Sequence, residues 1–176
     1  LAITLAQQGT RTLLVDADLR RGLLHQVLEA KQQPGLTHVL HRRVPLAEAV
    51  QEVGLGGDAP PLHFLASGVF PPNPAELLGS EQMHKLLAEM KQDYEAIVID
   101  APPLNLVTDA AVLGQLADAT LLVTRVGITD RRALQHAATQ LRHLRVPVSG
   151  LVVNDVDVSG MGYYGYGKYA YGATNN

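Results

Sequence analysis

The chain has 176 residues, 47% of them hydrophobic and 18% charged, which suits one ordinary globular domain and excludes a disordered or collagen-like polymer. Seventeen acidic against fourteen basic side chains leave a net charge of −3, so no global positive field points to nucleic acid as a partner. The absence of cysteine excludes a disulfide framework, a thiolate metal site and a cysteine nucleophile.

The opening LAITLAQQG reads as an amphipathic helix already under way, with no start signal before Leu1, and the expectation is a chain truncated at its N-terminus. Residues 12–15, 62–66, 96–99, 119–123 and 148–153 are aliphatic or β-branched runs of strand length. They barely alternate polar with apolar, as strands covered on both faces do, and the segments between them are long enough for crossovers, so a mostly parallel α/β sheet follows. Between the first two strands the sequence predicts short helices over 23–30, 36–41 and 45–53, closed by the turn-rich GLGGDAPP at 54–61. Met83, Leu86, Leu87 and Met90 fall at i, i+3, i+4, i+7 behind a Ser80 cap, and Leu134, Ala137, Ala138, Leu141 and Leu144 form a second stripe after Thr129. Both stripes are expected to be core faces. Residues 1–159 read as one domain; from Gly160 the composition turns to glycine and tyrosine, with almost no aliphatic side chain, and 160–176 are expected to form a flexible tail. No apolar run approaches the roughly 20 residues that span a bilayer.

The first strand ends in LLVDADLRRG, where Asp16 and Asp18 are two apart and leave on the same side if the strand persists through them. Carboxylates at the carboxyl edge of a parallel sheet suit Mg²⁺ or general-base work, and equally suit a loop cap. Arg20 and Arg21 either face phosphate or balance the aspartates. AIVID ends in Asp100 and runs into APPL, the form of a Walker B segment that buries a strand and delivers one carboxylate to the same edge. Pro102 and Pro103 stiffen the turn beyond it. Pro71, Pro72 and Pro74 make PPNPAELL a rigid corner opening a short helix. The seven histidines show neither HxH nor HExxH spacing, and no zinc site is expected.

LLVDADLRRG, PPNPAELL, VIDAPPL and the terminal tyrosines stand in the order in which they occur in bacterial tyrosine kinases, and the chain resembles that family over nearly its whole length. These are the cytoplasmic kinase domains of the polysaccharide co-polymerases of capsule and exopolysaccharide export, related to the deviant P-loop ATPases of the ParA/MinD type. The resemblance implies a three-layer P-loop NTPase-like α/β fold with ATP and Mg²⁺ as cofactors. It makes DADLR the Walker A-prime motif, with Asp16, Asp18 and Asp100 as catalytic carboxylates, Asp16 and Asp100 also positioning the metal. It implies that Arg20 and Asn154 contact the nucleotide, Asn154 at the adenine edge. Tyr163, Tyr164, Tyr166, Tyr169 and Tyr171 resemble the phosphoacceptor cluster, docked in trans within a ring-like homo-oligomer at the cytoplasmic side of the inner membrane. A transmembrane co-polymerase segment, fused or separate, is the implied activator.

The family's glycine-rich G-K-[ST] loop does not occur in these residues. The resemblance sets it, with its strand, just before Leu1, and the 176 residues alone are expected to be inactive, because neither Asp16 nor Asp100 can replace a positive phosphate cradle. The alternatives are a ParA/MinD-type ATPase switch without kinase activity and an inactive regulatory homologue.

Overall fold

The computed structural model describes residues 1–104 and 108–156. Strand β1 (Thr12–Asp16) lies between β3 (Leu62–Leu65) and β4 (Ala96–Asp100), parallel to both, and β2 (Val50–Val53) closes the far edge antiparallel to β3. A second, two-stranded parallel sheet pairs β5 (Thr120–Arg125) with β6 (Val148–Asn154). Among the described strands, β4 pairs only with β1 and β5 only with β6, so each keeps one open edge.

Period-2 alternation along β1 sorts the core into two faces. Leu13 and Val15, both fully buried, join Leu36, Leu65, Leu78 and the stripe of α6 (Glu81–Asp93), while Leu14 turns to the other side against Ala2 and Ala6 of α1 (Ala2–Gln7). Helices on both faces of a mainly parallel sheet make the three layers the sequence implies. The α6 stripe is core as expected, and Ser80 Oγ accepts from the Met83 backbone N–H at 3.3 Å to cap the helix.

Elsewhere the elements differ from expectation in ways with physical causes. The helix expected over 45–53 stops after one turn as α4 (Leu46–Ala49), and Val50–Val53 becomes β2, because pairing with β3 satisfies its backbone along the whole run. Of 23–30 only α2 (Leu24–Val27) is helical; the third short helix is α3 (Leu36–Leu40). PPNPAELL gives α5 (Pro74–Leu78), with proline at its first helical position. An unanticipated helix, α7 (Asp109–Leu116), carries buried Ala111, Leu113 and Gly114. Leu113 joins the larger core, and Gly114 sits so close to Val146 that a Cβ there would lie 2.6 Å from Val146 Cγ1. Helix α8 (Arg131–His143) starts on Asp130, whose carboxylate accepts from the Arg132 and Ala133 N–H groups.

Candidate functional site

Strand β1 ends at Asp16, the Cα register partner of Asp100 at the end of β4, and the Ala17 N–H donates to the Asp100 carbonyl at 2.9 Å. Register partners on adjacent parallel strands leave the same face, so two carboxylates are delivered to one edge of the sheet. Asp16 is fully buried. Its Oδ1 accepts from the Asp18 N–H and its Oδ2 from the Leu24 N–H, both at 3.3 Å. Burial is the largest influence on it and raises its pKa to about 6, the Leu24 amide working against this and the charges of Asp100 and Asp18 with it. The Asp100 carboxyl is also raised, by desolvation first and then by the Asp18 charge.

Because β1 stops at Asp16, Asp18 is not brought in by strand alternation. A turn brings it: Asp18 Oδ1 accepts from the Arg20 and Arg21 N–H groups at 3.0 and 2.9 Å, which leaves Oδ2 without a hydrogen-bond partner among the described residues. Arg20 turns its side chain to Asp109, Nε to Oδ2 at 2.8 Å and Nη2 to Oδ1 at 3.1 Å. Asn154 ends β6, exposed, in register with Arg125; its carbonyl accepts from the Val126 N–H. It therefore belongs to the second sheet, whereas Asp16, Asp18 and Asp100 form a single cluster. The five terminal tyrosines lie outside the described residues.

Two features of this edge carry no sequence motif. Gly22 fits only because it has no side chain: a Cβ would lie 2.5 Å from Ser67 Oγ, 2.7 Å from Asp16 Oδ2 and 2.8 Å from the Asp18 carbonyl oxygen. Ser67, just beyond β3, is fully buried and its hydroxyl has no partner among the described residues. A glycine six positions after the first aspartate was the one available signal for the close approach.

Among the described residues no group of three or more acidic or histidine side chains is arranged to hold a metal ion by itself. Asp16 and Asp100, once ionised, are hard-oxygen ligands of the kind that hold Mg²⁺ when phosphate and water supply the remaining positions. No positive cradle for phosphates accompanies them among the described residues.

No protein-family profile matches the chain. The chain is 36% identical over 176 residues to the tyrosine-protein kinase YwqD of Bacillus subtilis, covering 100% of this chain and 71% of that protein. It is 39% identical over 174 residues to the putative tyrosine-protein kinase EpsB of Ralstonia nicotianae, with 97% of this chain covered but only 23% of the relative. Among solved structures, the kinase domain of the Escherichia coli tyrosine kinase ETK superposes with a TM-score of 0.83 at 32% identity, over 98% of this chain and 64% of that one. The septum site-determining protein MinD of Pyrococcus horikoshii, at 20% identity and a TM-score of 0.67 over 86% of this chain and 60% of that one, shares the fold. The architecture is thus that of an α/β P-loop NTPase-like domain with a mainly parallel sheet. Within that class, the chain belongs to the bacterial tyrosine-protein kinases. It spans under a quarter of the length of several curated relatives it matches.

Proposed function

We propose that the protein containing this chain transfers the γ-phosphoryl group of ATP to tyrosine. The observation that carries this reading is the registered pair Asp16 and Asp100, with Asp18 beside it, at the carboxyl edge of a parallel sheet in a chain of tyrosine-kinase ancestry. Mg²⁺ bound there supplies charge neutralisation to the phosphates. Asp16 and Asp100 would hold it, which requires both to be ionised. Asp18, with Oδ2 uncommitted, orients the incoming tyrosine hydroxyl and accepts its proton as the new oxygen–phosphorus bond forms and the bond from the γ-phosphorus to the departing ADP breaks. A carboxylate is a weak base for a phenol of pKa about 10, so positioning contributes more than prior deprotonation. Asn154 reads the adenine edge from the end of β6.

The phosphate cradle is a glycine-rich loop with one lysine, carried by a strand that inserts between β4 and β5. The open edges of both strands support this, since an added parallel strand would join the two sheets into one. The acceptors are Tyr163, Tyr164, Tyr166, Tyr169 and Tyr171, presented in trans to a neighbouring copy in a ring. Each phosphate adds about −1.5 to −2 charges near pH 7, so modification turns an adhesive tail into a repelling one and opens the assembly. The reading places the domain on the cytoplasmic face of the inner membrane beside a co-polymerase segment, where this switch regulates exopolysaccharide polymerisation and export.

The test is γ-labelled ATP with the whole encoded protein, wild type against Asp16→Ala. Label on tyrosine in the wild type alone supports the kinase. Inorganic phosphate without labelled tyrosine makes the protein an ATPase switch, and neither product makes it a regulatory homologue.

A further inference from the structure

Asp109 begins α7 with a carboxylate that is fully buried, and its hydrogen-bonded partner is the guanidinium of Arg20, itself 42% exposed. A buried carboxylate without a counter-charge is costly, and a two-pronged guanidinium contact fixes direction as well as charge in a way a lysine cannot. The contact joins residues 89 positions apart. Its Arg20 end is tied to the site through the backbone, since the Arg20 N–H donates to Asp18 Oδ1 at 3.0 Å. Its Asp109 end lies nine positions beyond Asp100, where the chain enters α7 after leaving the sheet edge. One run of contacts, Asp18 to Arg20 to Asp109, therefore ties the turn after β1 to the segment that follows β4. The first of these segments carries Asp18, and the second leaves the sheet directly after Asp100, the last residue of β4.

We infer that Asp109 and Arg20 form a positioning pair that sets the Asp18 turn against the Asp100 segment, and that Arg20 acts through Asp109 rather than as a phosphate ligand. The inference rests on the phosphotransfer reading for its rate measurement but not for its binding measurement. Were Arg20 a direct phosphate ligand, its substitution would weaken nucleotide binding and Asp109→Asn would leave binding intact or strengthen it by freeing the guanidinium. As a positioning pair, the two residues fail together.

The whole encoded protein is compared as wild type, Arg20→Lys, Asp109→Asn and the double variant. The measurements are tyrosine phosphorylation at varied ATP, the Mg²⁺ concentration giving half-maximal binding of a fluorescent ADP, and the melting temperature. The expected result is a roughly tenfold fall in kcat in each single variant, with the ATP KM changed less than about threefold. The double variant is then no worse than either single one, because the second substitution removes a contact already lost. The Mg²⁺ requirement rises in parallel in all three variants. A KM increase confined to variants of Arg20 overturns the inference, as do wild-type kinetics in both single variants or multiplicative losses in the double one. Activity losses that follow a falling melting temperature, with the Mg²⁺ requirement of the folded fraction unchanged, also overturn it. If the wild type releases phosphate without labelling tyrosine, the kinase reading fails, and the same comparison on phosphate release and ADP binding still decides the role of the pair.

Discussion

The four-stranded sheet and the β5–β6 pair are built from equally aliphatic sequence and are buried very differently. Phe64, Leu13, Leu65 and Val15 in the first are fully buried, whereas Leu121, Val123, Leu151 and Val152 in the second are 47%, 59%, 50% and 42% exposed. Strand composition records how a segment is buried in the protein it evolved in, while observed burial records which neighbours are at hand. Among the described residues the β5–β6 pair thus has far less covering its apolar side chains than the four-stranded sheet has.

Side-chain truncation gives the largest separation between the two regions. Phe64→Ala is expected to cost about 3–5 kcal/mol in urea denaturation, and Val123→Ala less than about 1 kcal/mol, since a half-exposed side chain loses little on truncation. Equal costs would show that β5 is covered in solution and would break the comparison.

Ionisation separates them next. Asp16 is buried with a pKa raised to about 6 from 3.8, so between those values the folded state keeps a proton that the unfolded chain has lost. Stability contributed by the protonated form is present below pH 3.8 and falls as pH rises to about 6. Asp16→Asn should accordingly be more stable than wild type by on the order of 2 kcal/mol at pH 7.5 without Mg²⁺. The two proteins should converge below pH 4. Asp155, in the second region, is 55% exposed and paired with Arg125 at 2.7 Å, and Asp155→Asn should change stability by under about 1 kcal/mol with no gain at pH 7.5. Chemical denaturation across pH measures both, and an Asp16→Asn protein less stable than wild type at pH 7.5 would contradict the raised pKa.

Glycine substitution gives the smallest contrast. Gly22→Ala forces a methyl group against Ser67 Oγ, Asp16 Oδ2 and a backbone carbonyl, and should cost about 2 kcal/mol. A Cβ at Gly150 would meet only Leu121 Cδ2, at 3.6 Å, so Gly150→Ala should fall within about 0.5 kcal/mol of wild type. Comparable melting temperatures for the two variants would place the tight packing elsewhere.

Five of the six strands were legible because their apolar runs are continuous and bounded by turn residues. Strand β2 was hidden: VQEV follows directly on a helical turn, and only pairing with its antiparallel partner β3, beyond the turn-rich loop 54–61, decides its state. Helix α7 was hidden too, since DAAVLGQL shows no clear stripe where both of its sides meet protein. At the site, Asp16 and Asp100 could be read from strand ends, and Asp18 from its spacing, although a turn rather than the strand delivers it. Asp109 and Ser67 could not be read, because their meaning lies in partners 89 positions away for Asp109 and in a close approach to Gly22 for Ser67.

Strand β2 gives the sheet a blunt end. It is four residues long, carries Gln51 and Glu52, and the Gln51 amide both donates to the Lys31 carbonyl at 2.7 Å and accepts from the Lys31 N–H at 2.9 Å, so a loop is stitched along its flank. Short, polar, covered borders of this kind discourage recruitment of foreign strands. The two ends of the sheet therefore differ: the β2 end is short, polar and covered, whereas β4 at the other end, beside the carboxylates, keeps an unpaired edge among the described residues.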